Sequence, residues 1–285
     1  MNKPLTGLQA AGLSLTPMTP TIGAEVSGVD LTTPLAPETV AAIRSALLDW
    51  KVLFFRDQAI DTNQHLAFGR HFGELEVHPF APQKPGHPEV LALNHDRERR
   101  GKENTWHSDV TWREKPSLGS ILRALELPQV GGDTLFADMT AAYEGLSETV
   151  KHQIEGKAAL HDFAHFRVGL RKAGKTEEEI EAFNRAYPSV EHPIVRTHPE
   201  TGAKAIYVNA AFTQHIVGMK KLESDALLAH LYSQAAIPEY QCRFRWHPGS
   251  IAFWDNRSSQ HYAVSDYWPN VRRMERVTIV GDRPR

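Results

Sequence analysis

The chain has 285 residues, 41% hydrophobic and 23% charged, with a formal net charge of −2. That is a globular composition long enough for one large domain or two small ones, and it provides no global basic field for nucleic acid. A single cysteine, Cys242, excludes an intramolecular disulfide and a cysteine metal cluster, and fits a reducing compartment. The opening MNKPLTGLQAAGLSLTPMTP lacks the apolar run of a signal peptide, and no stretch of about 18 apolar residues could span a membrane. The cytoplasm is the expected location.

In chain order, residues 21–31 read as a strand and turn punctuated by Gly23, Gly28 and Asp30. A helix is expected over Pro37–Trp50: Pro37 suits the first turn, and Val40, Ile43, Leu47 and Trp50 recur at helical spacing. Residues 51–55 predict a short buried strand, and 62–72 a second helix, capped by Asp61 or Thr62 and closed by Gly73. Short apolar or alternating runs follow at 90–93, 106–111, 120–125, 134–137, 194–197, 205–208, 241–246, 251–254 and 273–280. Gly, Pro and Asn punctuate them, as in an all-β jelly roll. Helical insertions are expected at 140–155 and 222–236. The charged run 177–187 follows a Gly- and Lys-rich stretch at 169–175, so 164–190 reads as a lid or a mobile insertion. The expected architecture is a single domain over 1–285, mainly β with flanking helices, a double-stranded β-helix. A regular α/β domain would need a β–α alternation that the chain lacks.

The stretch WHSDVTW at 106–112 carries His107 and Asp109 two residues apart. On a strand these side chains would share a face, with Ser108 turned away. Alone, a His-x-Asp pair is most simply a polar strand face. Here it has company. His261 closes FWDNRSSQH, a strand and turn late in the chain, where a jelly roll can bring it against an early strand. Two ligands from one strand plus a distant imidazole can cap one face of a metal ion and leave the other open, as in non-haem Fe(II) oxygenases. Further on, Arg272, Met274 and Arg276 share a strand face, while Arg273 and Glu275 look away. Guanidinium groups turned into a barrel need either internal salt bridges or an anionic ligand, which arginine grips through paired, charge-assisted hydrogen bonds.

Over nearly its whole length the chain resembles the Fe(II)/2-oxoglutarate-dependent taurine dioxygenase family, whose relatives act on alkyl sulfates and aryloxyalkanoates. The segments that carry the resemblance are IGAEVSGVDL, FFRDQAI, FGELEVHP, WHSDVTW, GGDTLF, HPIVRTHPETG, VNAAF, IAFWDNRSSQHYAVSDY and the GDRP tail. The resemblance implies a metal-dependent enzyme with Fe(II) as metal and 2-oxoglutarate and dioxygen as co-substrates. His107, Asp109 and His261 match the iron ligands. Thr134 and Arg272 match the groups that hold 2-oxoglutarate, with Arg276 as the second arginine of the anion-binding set. Arg276 and His78 match groups that reach the substrate sulfonate, making a cationic end to the pocket, and Phe212 matches an aromatic wall. Apart from the family, Thr134 would read as a hairpin residue, His78 as packing before Pro79, and Phe212 as core.

The chain departs from the taurine members in two places: Ala81 replaces a tyrosine and Glu103 an asparagine. Phe166 and Arg167 fall near another pocket aromatic. A wider pocket is therefore expected. The implied reaction is hydroxylation of taurine or a related alkanesulfonate, giving an aldehyde and sulfite, in sulfur scavenging. An alkyl sulfate or aryloxyalkanoate substrate is the alternative. A zinc hydrolase could use the same ligands, but it leaves Arg272 and Arg276 without a task. A non-catalytic jelly-roll binding protein leaves the triad without one. The family implies a homo-oligomer, a dimer or tetramer, that binds a small anion and neither nucleic acid nor membrane.

Overall fold

Strand VLFF, Val52–Phe55, is buried at all four positions because both its faces are covered by other layers. The structure is a computed structural model and describes residues 12–285, so most of the apolar-run expectation for the N-terminus lies outside the described residues. The strands before the first turn of chemistry are β1 (Ser14–Pro17), β2 (Ala24–Ser27), β3 (Val52–Phe55), β4 (Gln83–Lys84), β5 (His87–His95), β6 (Gly119–Glu126) and β7 (Thr134–Asp138). They are followed by β8 (Ala158–His161), β9 (Val190–Pro193), β10 (Val195–Thr197), β11 (Lys204–Ile206) and β12 (Thr213–Ile216). The last four are β13 (Gln241–Phe244), β14 (Ile251–Asp255), β15 (Ser259–Ala263) and β16 (Arg272–Ile279).

The largest sheet has eight strands in the order β1-β2-β3-β14-β6-β16-β5-β4, and a three-stranded sheet runs β13-β7-β15. These sheets face each other. Phe54 of β3 stacks on Phe244 of β13 at 4.0 Å and meets Phe136 of β7 edge-on at 5.5 Å, with Leu122, Trp254 and Met274 in the same buried cluster. On the outer side of the main sheet, helices α1 (Pro37–Trp50) and α2 (Thr62–Arg70) cover a second cluster that includes Ile43, Leu47, Phe55, Phe68 and Phe253. The fold is thus mostly β with helices outside. Asp61, rather than Thr62, caps α2, in a reciprocal capping box with Gln64.

Two sequence expectations need correction, and a third gains detail. Residues 140–155 are not one helix but two, α3 (Met139–Glu144) and α4 (Glu148–Ile154), because Ser147 caps a new helix through its hydroxyl. The 164–190 segment, expected as a lid or a mobile insertion, carries two helices. It folds into α5 (Ala164–Lys172) and α6 (Glu177–Ala186), the second opened by a Thr176–Glu179 capping box, so the Gly- and Lys-rich stretch is partly helical. Finally, 106–111 is not a strand: only His107 makes an isolated bridge, with His261, and the chain then turns. The remaining helix, α7 (Lys221–Ser233), buries Leu227, Leu228 and Leu231. No helix among the described residues is long and apolar enough to cross a membrane.

Candidate active site

His107 and His261 are brought together by the backbone itself. Each donates its N–H to the other's carbonyl, at 3.1 and 2.8 Å, the reciprocal pairing of directly opposed antiparallel residues. Their rings therefore lie side by side, with centroids 4.2 Å apart. Asp109 joins them by a route the strand rule does not provide. The chain turns at once, with Val110 at a φ of 47°, and swings the carboxylate back toward both imidazoles. Its Oδ1 lies 3.9 Å from His107 Nε2 and 3.8 Å from His261 Nε2. One ligand atom from each residue falls within 4.8 Å of the others, a spacing fit for one metal ion.

The neighbours of these groups prepare them for such a role. His107 Nδ1 lies 2.7 Å from the Thr105 carbonyl, so Nδ1 carries the proton and Nε2 keeps its lone pair. Burial, followed by His107, pushes His261 down to about 3, which keeps it a neutral imidazole. Burial opposes ionisation of Asp109, but Arg276, both histidines and the Ser120 hydroxyl outweigh it and hold the carboxyl well below the usual range. Oδ2 accepts from Ser120 Oγ at 2.8 Å and Asn256 Nδ2 at 3.3 Å. Asn256 also accepts the Asp109 N–H and the Trp254 indole N–H, both through Oδ1. Sequence reading missed Ser120 and Asn256 as positioning groups. The second was visible only as half of a turn in FWDNRSSQH, and the first as one alternating residue of a strand.

On β16, Arg272 and Arg276 do share an inner face with Met274, while Arg273 pairs with Glu126 outside. Glu275 faces the other way into a buried network with Lys84 and Arg123. The two inner arginines differ. Arg276 Nη1 binds Asp109 Oδ1 at 2.6 Å, and its Nε has no partner. Arg272 is 3% exposed and meets no carboxylate: Nε donates to the Gly132 carbonyl at 3.2 Å and Nη2 is unpartnered. Burial lowers its affinity for a proton accordingly. Gly132, at a φ of 75°, lets the loop pass this closely, since a Cβ there would crowd Arg272 Nε at 3.1 Å. Thr134 lines the same cavity, and its Oγ accepts from Trp246 Nε1 at 3.0 Å, leaving its own proton free to donate.

His78 corrects an expectation. Its Nδ1 accepts the N–H groups of Phe80 and Ala81, at 3.2 and 3.0 Å, and burial with Arg276 and Arg113 pushes it down to about 3. It is a neutral donor through Nε2–H and adds no positive charge, so Arg276 is the cation at that end. Phe212 stands 6.1 Å from His107, edge to face. Ala81, Glu103 and Phe166 also line the cavity, so both departures from the taurine pattern face the space they were expected to alter. Glu103 lies 3.5 Å from His95. Arg167 does not reach the cavity lining: it forms a paired bridge to Asp162. His78, His107, Asp109, Thr134, Phe212, His261, Arg272 and Arg276 line one space of about 480 Å³.

The chain is similar to known proteins over most of its length. Residues 14–278 match the family described as taurine catabolism dioxygenase TauD, TfdA family. The chain is 38% identical to an alkylsulfatase of Acinetobacter baylyi, covering 95% of this chain and 86% of that one. It is 37% identical to an alpha-ketoglutarate-dependent sulfate ester dioxygenase of Pseudomonas putida, covering 98% and 93%. A crystal structure of a taurine dioxygenase from Burkholderia xenovorans superposes with a TM-score of 0.82 at 39% identity, covering 96% and 91%.

Proposed function

We propose a reaction and a substrate class for this chain, which belongs to the taurine catabolism dioxygenase TauD, TfdA family. It is a 2-oxoglutarate-dependent non-haem iron dioxygenase that uses Fe(II), 2-oxoglutarate and dioxygen. We read the two facing sheets as a double-stranded β-helix, residues 1–285 as a single dioxygenase domain, and 164–190 as its lid. In the same reading the enzyme works in the cytoplasm as a homo-oligomer.

His107, Asp109 and His261 would hold the iron, which when bound activates dioxygen against 2-oxoglutarate, releasing succinate and CO2, and supplies the oxidant for a substrate C–H bond. The protein's share is placement. Arg272, with a buried and unpartnered Nη2, would take the distal carboxylate of 2-oxoglutarate, and the Thr134 hydroxyl would donate to the same group. Arg276 Nε and His78 Nε2–H would hold a sulfonate or sulfate head group. Fixing the head group sets the adjacent methylene as the reacting carbon. Once hydroxylated, that carbon expels its substituent: the C–S or C–O bond breaks, the hydroxyl proton leaves, and an aldehyde forms with sulfite or sulfate. An uncharged analogue would leave the buried donors unpaired and bind poorly.

The observation that carries this reading is the buried, unpartnered Nη2 of Arg272 in the same cavity as the His107–Asp109–His261 cluster. A hydrolytic zinc site would have no use for it. Succinate release measured against alkanesulfonates, alkyl sulfates and aryloxyacetates tests the substrate class: release driven by a sulfonate or sulfate is expected. Release with aryloxyacetates alone would overturn the head-group assignment. A visible charge-transfer band on anaerobic addition of Fe(II) and 2-oxoglutarate is expected too, and its absence would return the zinc reading.

A further inference from the structure

The head-group subsite leaves the remainder of the substrate undefined, and the far wall of the cavity speaks to it. α5 and its C-cap residue Ala173 turn one face to the cavity: Phe166, Gly169, Leu170 and Ala173, at the i, i+3, i+4, i+7 spacing of a helical stripe. Phe80, Ala81 and Pro82, and Leu91 and Leu93 of β5, add to the apolar lining. Arg99 and Glu103, charged residues that also line the cavity, belong to the segment after His95. Tyr267 ties that segment to the Arg272 side, bonding His95 Nδ1 at 2.7 Å while Arg272 sits over its ring at 5.7 Å. The α5 wall itself offers no charge.

Two of the four inward positions on α5 are small, and for Gly169 neither backbone nor packing requires it. Its φ is not positive, and a Cβ built on it meets no atom within 4 Å. Glycine weakens a helix interior, so what its absent side chain provides is open room on the cavity side. We propose that α5 is a chain-length gauge. Resting on the function proposed above, the substrate is an unbranched alkyl sulfate or alkanesulfonate whose tail runs past Phe166 into the gap beside Gly169 and Ala173.

The test is kcat/KM over primary alkyl sulfates from ethyl to dodecyl, at saturating Fe(II) and 2-oxoglutarate. The native enzyme should gain about fourfold per methylene until the tail fills the gap. In Gly169→Leu and Ala173→Leu the octyl-to-ethyl ratio should fall at least tenfold. Gly169→Leu favours the helix and Ala173→Leu, at its C-cap, is nearly neutral, so folding should survive, and an unaltered melting profile checks that. Val168→Leu, on the solvent face of the same helix, should keep the native ratio. Parallel length profiles in all four proteins would overturn the gauge while leaving the dioxygenase reading intact. Turnover of no member of the series would overturn the head-group reading and the tail subsite together.

Discussion

At the co-substrate end of the cavity, Thr134 and Arg272 ride on β7 and β16, each hydrogen-bonded to a strand on both sides. At the tail end the wall is α5, nine residues long, held by the Arg167–Asp162 bridge and by the more exposed Arg171–Glu177 pair. The first end is polar and aimed: each group has one direction fixed by a neighbour and one left for a ligand. The second is apolar, and an apolar wall selects by shape and length alone. The contrast teaches a division of labour. Thr134 and Arg272 sit where the sheet leaves no freedom, and the proposed selectivity sits on a helix that can change residue by residue without disturbing a ligand atom.

The severest way to break the comparison is at the metal. His107→Ala or His261→Ala removes one of three ligands, and turnover should fall below detection with iron binding greatly weakened. A variant with native turnover, measured as succinate release, would remove the cluster from the mechanism.

Acid should act through the scaffold. Behind the tail end, His161 and His192 are buried and kept neutral, His192 pushed down to about 4, first by burial. His65, under the main sheet, is pushed down to about 3 by burial and then Arg123. The unfolded chain protonates these groups near 6.5, whereas the folded one does not, so their contribution is complete above that pH and is lost as pH falls toward the folded values. At pH 5.5, His65 and His192 should each cost about 1 kcal/mol. Urea midpoints at pH 7.5 and 5.5 would measure this, and equal midpoints would contradict it.

Asn256→Ala tests whether the fixed end depends on its supports. With the amide gone, Asp109 keeps Ser120 and Arg276 but loses the group that holds both its backbone and its Oδ2. About 10- to 100-fold weaker iron affinity or activity is expected, read by metal titration beside turnover. Arg272→Lys keeps the charge but loses the planar fork, so KM for 2-oxoglutarate should rise about tenfold, with a smaller change for the substrate. A change confined to the substrate would exchange the roles of Arg272 and Arg276.

The smallest effect belongs to the shape-selective end. Ala81→Tyr restores bulk and a hydroxyl to a position that lines the cavity. It should shift kcat/KM toward taurine over a longer alkanesulfonate by about one methylene's worth, roughly fourfold. No shift would mean that this position does not set the pocket's width.

Much of the site was legible because its chemistry demands particular side chains. Histidine and carboxylate together suit an open Fe(II) site, and arginine grips a carboxylate with a planar fork, so His107, Asp109, His261 and Arg272 stood out by type. The two arginines on β16 were also placed correctly on one face, since strand periodicity is local. The WHSDVTW segment shows the limit. The residues were right and the reason was wrong: Asp109 reaches the histidines through a turn, and alternation along a strand plays no part. Nor could type alone distinguish a neutral His78 from a cationic one, because its protonation is decided by burial and by two backbone N–H groups.

By itself, then, the sequence determined the strand-rich pattern, the residue types of the His–Asp–His cluster and the two arginines on one strand face, all of which follow from periodicity or from the chemistry of single side chains. Only the tertiary structure decided which arginine pairs with Asp109 and which stays open, that Asn256 clamps the carboxylate, and that α5 offers a glycine face to the cavity. Those are contacts between segments far apart in the chain. They depend on how close two sheets and a helix approach, and no local spacing encodes that distance.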